Sequence, residues 1–195
     1  MVPGALDHVP ATVGERFGSP WGPVEALLEL LRPLPAALLR FWAAQPRGHV
    51  LIDPLGGEYV VGLQPCGNRL LDCVAHVAVA ELGVDSGRPL LLVGHLLDHL
   101  LGCCGAAGGM WLSGGGGITQ RWREVGRQIA ELYDLGYGRT DMAQCDPRRY
   151  FAEGLAGWCQ DRRALNAADP RLERLLSRTV MCEAFWVAEE DECAF

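Results

Sequence analysis

Two histidines and an aspartate stand at helical spacing in an apolar stretch of the sequence. The string runs His95-Leu96-Leu97-Asp98-His99, so the two imidazoles are four residues apart and Asp98 follows His95 by three. On an α-helix, residues at these separations share one face, and two imidazoles on one face can bind a single zinc ion. Histidine pairs of this kind also occur as core or capping residues. The string therefore predicts either a metal-binding helix or a structural one.

Two further strings downstream give this histidine pair a context. Residues 137–140 read Tyr-Gly-Arg-Thr in a loop, and residues 150–154 read Tyr-Phe-Ala-Glu-Gly at the opening of a helix. In this order, the three strings resemble the zinc peptidases typified by the catalytic domain of anthrax toxin lethal factor, with the secreted Pro-Pro endopeptidases as relatives. The resemblance covers residues 88–180 and implies a metallopeptidase-like (zincin) fold, in which a buried HExxH helix shares a cleft with the second helix.

The residues that depart from the family pattern bear directly on the chemistry. The family's second motif residue is a glutamate that activates zinc-bound water, but Leu96 stands here and accepts no proton. The family's third zinc ligand falls on Arg149, a permanent cation that repels Zn²⁺. The resemblance gives Glu153 a supporting role behind the histidines and Tyr137 the stabilisation of an oxyanion, with residues 142–146 as an insertion between them. We therefore expect negligible activity on generic peptides.

The sequence leaves two arrangements of this site open. In the first, His95 and His99 bind zinc, and Glu153 or the thiolate of Cys103, four residues beyond His99, is a substituted ligand. In the second, there is no cofactor and Arg149 fills the vacated metal position, where it pairs with Asp98 or Glu153. The candidate catalytic set combines acids, bases and one cation in both arrangements: His95, Asp98, His99, Tyr137, Arg149 and Glu153.

The elements that position these residues are mostly helical. Apolar residues at helical spacing predict helices over 21–31, 38–42, 69–82, 89–101 and 118–135, and prolines suited to a first helical turn begin two more near 147 and 170. Two β-branched runs at 49–52 and 58–63 flank a turn-forming segment and predict a hairpin. The predicted fold is α+β, a mainly helical single domain over 21–195 with a small antiparallel sheet, preceded by an irregular arm over 1–20.

Composition narrows the classes of partner. The chain has 195 residues, of which 49% are hydrophobic, and this is enough to bury a core. Its 24 acidic and 17 basic residues give a net charge of -7, which disfavours nucleic acid and anionic membranes as partners. Its 8 cysteines show no disulfide spacing, and residues 1–20 lack the features of a signal peptide. We therefore expect reduced thiols in a cytoplasmic protein.

Three functions are compatible with these residues. The first is a repurposed enzyme that acts on a small molecule, in which a histidine is the acid or base, Tyr137 donates to an oxyanion and Arg149 orients an anion. The second is a pseudo-peptidase that binds a peptide or protein partner without turnover, and the third is an active zinc peptidase with substituted ligands. Trp111, in a glycine-rich loop, is expected to be core or pocket wall, with a substrate lid as the alternative.

Overall fold

The computed structural model describes residues 11–54, 56–83, 87–136 and 146–192. Eight helices are present in these residues: α1 (Ala11–Phe17), α2 (Gly22–Leu31), α3 (Ala36–Ala44), α4 (Gly87–Cys103), α5 (Gln120–Leu135), α6 (Pro147–Ala168), α7 (Pro170–Arg178) and α8 (Glu183–Glu192). Three strands lie between α3 and α4: β1 (His49–Asp53), β2 (Glu58–Cys66) and β3 (Arg69–Ala78). The predicted α+β class with a helical majority and a small sheet is confirmed.

The three strands form one mixed sheet in the order β1-β3-β2. The central strand β3 runs parallel to β1, with Val74 opposite His49, and antiparallel to β2, with His76 opposite Glu58. The predicted hairpin between β1 and β2 is wrong, because β3 lies between these two strands. The sheet is consequently mixed and not purely antiparallel.

The helix predicted over residues 69–82 is also wrong, because Arg69–Ala78 is strand β3. Residues 70, 74 and 77 have helical spacing, yet Leu70 is 65% exposed whereas Val74 and Val77 are completely buried. A central strand covered on both faces loses the alternation of apolar and polar residues that marks a half-exposed strand. Its mostly apolar residues then resemble a buried helix in the sequence.

The N-terminal region is more ordered than the sequence predicts. Residues Ala11–Phe17 form α1, so the prediction of an irregular arm is wrong for this part of it. Arg16 fixes the helix to the chain after β3, because its guanidinium donates to the carbonyl oxygens of Ala80 at 2.9 Å and Leu82 at 3.0 Å. This helix therefore belongs to the same folded unit as the sheet.

Helix α4 is the centre of the molecule, and the predicted helices around it are confirmed. The side chains of Thr119, Asp146 and Asp169 accept hydrogen bonds from the first turns of α5, α6 and α7 and so set where these helices begin. One hydrophobic core runs from Leu27 in α2 to Trp186 in α8, so the described elements form a single domain.

Among the described residues, no helix is both long and apolar enough to cross a membrane.

Helices α4 and α6 approach each other closely, and this contact brings the predicted site residues into one region. Gly94 of α4 lies against Ala152 of α6, where an added Cβ would stand 2.7 Å from the Cα of Ala152. Glycine is required at this crossing because a larger side chain would push the helices apart. The flanking residues His95 on α4 and Arg149 on α6 therefore meet at one cleft.

Candidate active site

Helix α4 carries the two histidines on adjacent turns, but their environments differ. His99 is completely buried, whereas His95 is only partly buried and lines a cleft. The helix ends at Cys103, and the next two residues, Cys104 and Gly105, have left-handed backbone conformations with φ of 52° and 70°. Such conformations terminate a helix. They begin the glycine-rich loop over 104–119, which connects α4 to α5.

Both ring nitrogens of His99 are already hydrogen-bonded. Its Nε2 lies 3.2 Å from the carbonyl oxygen of Ala106, and its Nδ1 lies 2.8 Å from the hydroxyl oxygen of Tyr59. Because a carbonyl oxygen only accepts, Nε2 carries the hydrogen and Nδ1 accepts from the tyrosine. Burial lowers the pKa of His99, which favours the same neutral form. His99 is therefore a structural residue that fixes strand β2 and the 104–119 loop.

Trp111 lies between His99 and the cleft. Its ring stacks on the imidazole of His99 with centroids 4.5 Å apart and an angle of 13° between the planes. The guanidinium of Arg148 lies 4.2 Å from the Trp111 centroid, and the edge of Tyr59 packs on it at 5.7 Å. Trp111 is 8% exposed and lines the cleft. The expectation of a core or pocket-wall role is confirmed.

Asp98 anchors the 104–119 loop from inside the core. Its side chain is completely buried, and its two carboxyl oxygens accept hydrogen bonds from the backbone N–H of Ser113 at 2.7 Å and the Ser113 hydroxyl at 2.6 Å. Burial raises the pKa of Asp98 to about 7, although the hydrogen bonds from Ser113 act in the opposite direction. The structure thus places this candidate base behind the cleft wall and gives it a positioning role.

The cleft itself has a volume of about 360 Å³ and is formed by β2, α4, the 104–119 loop and the start of α6. Tyr59, Trp111, Leu91 and Leu92 form its aromatic and apolar walls. Its remaining side chains are charged or titratable, and three of them are arginines. They are Glu58, Arg88, His95, Asp146, Arg148 and Arg149. A volume in this range suits a small molecule.

His95 is the titratable group of the cleft that is most available to a ligand. Within the described residues, no hydrogen bond occupies its ring nitrogens. Its pKa is lowered mainly by burial, and the nearby cations Arg149 and Arg148 lower it further against the opposing carboxylates of Asp146 and Glu153. The lowered pKa favours the neutral imidazole near pH 7, a form that has one nitrogen lone pair available to accept a proton.

The three arginines of the cleft differ in how firmly they are held. Arg149 donates from Nε to Glu153 at 2.7 Å, which is one of the two partners that the sequence predicted. Arg88 donates to the carbonyl of Gly57 at 3.1 Å and forms an ion pair with a carboxylate, Glu81, also at 3.1 Å. In the described part of the chain, no carboxylate pairs with Arg148. Arg148 is therefore the cation with most capacity to bind an anionic ligand.

The residues present do not fit the zinc site that the resemblance implies. His99 would have to give up its hydrogen bond to Tyr59 or to Ala106 before one of its ring nitrogens could bind a metal. Glu153 pairs with Arg149, and the position of the water-activating glutamate, Leu96, is completely buried in the core. Among the described residues, no three histidine, cysteine or acidic side chains are arranged to hold an ion.

The structure brings together only part of the predicted catalytic set. His95 and Arg149 line one cleft, whereas Asp98 and His99 lie behind its wall, and Tyr137 is outside the described residues. Sequence reasoning missed the contributions of Tyr59, Glu58, Arg88, Asp146 and Arg148. Arg148 could have been found from its position next to Arg149 at the start of a helix. Residues 58 and 59 are positioned at the site by the pairing of β2 with β3, which the sequence did not reveal.

Comparisons with known proteins add no family assignment. No protein-family model, curated protein or solved structure matched this chain.

Proposed function

We propose that this chain is a repurposed zincin-like domain that acts as an acid/base enzyme on a small anionic molecule. The observation that carries the proposal is the partly buried imidazole of His95, which lines a cleft together with three guanidinium groups. A base needs an available lone pair and a pKa near or below the working pH, and His95 meets both conditions. The surrounding cations favour a ligand that carries a carboxylate or phosphate.

Four residues of the cleft have defined roles in this proposal. Arg148 binds the anionic group of the ligand, because among the described residues no carboxylate forms an ion pair with it, although Glu58 and Asp146 also line the cleft. Arg149, held by Glu153, adds a fixed positive charge beside it. His95 removes a proton from the ligand and returns it. The ring of Trp111 packs against the guanidinium of Arg148 and holds it in place. The sequence assigned anion binding to Arg149, and the contacts favour Arg148.

Hydrogen–deuterium exchange tests this proposal before the natural substrate is known. A panel of small carboxylates and phosphate esters that carry an acidic C–H is incubated with the protein in heavy water, and exchange is followed by NMR. A general base at His95 should accelerate exchange for at least one ligand. His95→Gln should reduce that acceleration by about 10²- to 10⁴-fold while the ligand still binds.

Two arginine variants separate binding from proton transfer. Arg148→Ala should raise the half-saturating ligand concentration by about tenfold or more, since it removes a charged hydrogen bond. Arg163→Ala is the matched control, because Arg163 is an exposed arginine of α6 that does not line the cleft. Absence of exchange for every ligand that binds, or equal binding by Arg148→Ala and wild type, would contradict the proposal.

Exposed apolar residues on the sheet favour a second candidate function, the binding of a peptide or protein partner without turnover. Val61, Leu63 and Leu70 are 42%, 62% and 65% exposed, and β2 is an edge strand of the sheet. Edge strands can accept an added peptide strand through main-chain hydrogen bonds. Binding of a peptide that is weakened by Leu63→Asp and unaffected by Arg148→Ala would support this function over the enzymatic one.

A further inference from the structure

A second groove lies between α5 and α7 and shares no lining residue with the His95 cleft. Its volume is about 380 Å³, and three leucines contribute its apolar surface: Leu132 and Leu135 from α5, and Leu175 from α7. Leu135 is 54% exposed. When a partner covers an exposed leucine, the removal of its apolar surface from water favours binding.

Arginines form the rim of this groove on the side of α7. Arg171, Arg174 and Arg178 line it, whereas Glu131 is the one carboxylate among its described lining residues, and Glu131 already faces Arg127 at 3.9 Å. Arg174 and Arg178 are exposed, and within the described part of the chain neither forms an ion pair. The groove is thus locally basic in a chain whose net charge is -7.

The spacing of the arginines has the period of a helix. Arg171, Arg174 and Arg178 are three and four residues apart, so they lie along one face of α7. The seven-residue interval spans about 10 Å, which is about two helical turns. Gln128 and Leu135, the outer lining residues of α5, are separated by the same interval. A ligand helix of two to three turns is therefore long enough to reach all three arginines.

We propose that this groove binds an acidic amphipathic helix of a partner protein. Leucines on one face of that helix would cover Leu132, Leu135 and Leu175, and acidic residues at its flank would pair with Arg174 and Arg178. Helix-in-groove recognition uses this combination of apolar anchors and a charged rim. A nucleic acid fits less well, because the described lining offers no aromatic ring on which a base can stack.

The proposal is tested with synthetic peptides and the intact chain. The probe is a fluorescein-labelled helical peptide with leucines along one face and glutamates at the flank, and fluorescence anisotropy measures its binding. One control peptide carries lysine in place of glutamate, and another has the same composition in scrambled order. We expect binding by the acidic amphipathic peptide only, and weaker binding at high salt because the rim charges are exposed.

Charge reversal in the protein locates the interaction. Arg174→Glu with Arg178→Glu should weaken binding at least about tenfold, because two attractive pairs become repulsive. Arg123→Glu with Arg163→Glu is the matched control, since both residues are exposed outside the groove, and it should bind like wild type. Circular dichroism confirms that both variants fold.

Three results would overturn the proposal. They are no binding of the acidic peptide, equal binding of the scrambled or lysine peptide, and unchanged binding by the Arg174/Arg178 double variant. Tighter binding of a single-stranded oligonucleotide, lost in the same double variant, would assign the groove to nucleic acid instead. None of these results depends on His95, so the outcome is independent of the proposed enzymatic function.

Discussion

Replacing Asp98 by asparagine should make the stability of this protein less dependent on pH. Asp98 is completely buried, and its pKa is raised from 3.8 to about 7, mainly by burial. The folded state therefore holds this proton more tightly than the unfolded state does. The contribution of Asp98 to stability is complete below the unfolded pKa of 3.8, and it is lost as the pH rises through the folded pKa of about 7.

The magnitude follows from the width of this pH window. Each pH unit between the two pKa values costs about 1.4 kcal/mol, so the interval from 3.8 to about 7 amounts to about 4 kcal/mol. Asparagine keeps the shape of the side chain, accepts from the backbone N–H of Ser113 and donates to its hydroxyl. Asparagine carries no charge. Between low and high pH, the free energy of unfolding of Asp98→Asn should therefore rise by about 4 kcal/mol relative to that of wild type.

Urea unfolding at several pH values between about 4 and 8 measures this gain. The relevant quantity is the difference between wild type and Asp98→Asn at each pH, because titration of all other groups cancels in it. Asp134→Asn, an exposed substitution on α5, is the control and should follow wild type. Parallel curves for wild type and Asp98→Asn would refute the reasoning, since they would mean that Asp98 is ionised in the core.

Three further predictions concern packing, the His99 environment and zinc chemistry. Gly94→Ala should destabilise the fold by about 1–3 kcal/mol, because its Cβ would meet Ala152, whereas Gly157→Ala, with ordinary contacts at 3.7 Å, should not; urea unfolding of both variants checks this. Tyr59→Phe should cost about 1–3 kcal/mol by removing the hydroxyl that donates to the Nδ1 of His99 and leaving only the weak thiol donor of Cys73 at 3.7 Å, and a double-mutant cycle with His99→Phe should show that the two effects are not additive. Generic peptides should not be cleaved in the presence of zinc, since loss of the water-activating glutamate alone costs about 10²- to 10⁴-fold, and zinc-dependent turnover that disappears in His99→Ala would be the contrary result.

The helices were predictable because their signals are local. Pro147 and Pro170 mark the first turns of α6 and α7, and the apolar spacing of α4 and α5 matches the helical period. The sheet was not predictable, since the pairing of its strands depends on contacts between segments that are distant in the sequence. β3 is apolar without alternation, and nothing local shows that it lies between β1 and β2.

The site was only partly predictable for the same reason. The sequence predicted that His95 and Arg149 share one cleft and that Arg149 pairs with Asp98 or Glu153, and the structure shows the pair with Glu153. Helical spacing puts His95 and His99 on one face, but it does not show that Tyr59 and Ala106 occupy both nitrogens of His99. Those partners come from β2 and from the 104–119 loop. Equivalent positions on a helix therefore acquired different roles through tertiary contacts.

An NMR titration of His95 tests the central claim most directly. The ¹³C-labelled imidazole resonance, assigned by its loss in His95→Gln, is followed against pH with and without inorganic phosphate. We expect a pKa below the usual value of about 6.5, which rises when phosphate binds and when Arg148→Ala removes a nearby cation. In Arg148→Ala, phosphate should have little further effect. A pKa at or above the usual value, unchanged by phosphate and by Arg148→Ala, would contradict the assignment of this cleft as an anion-binding acid/base site.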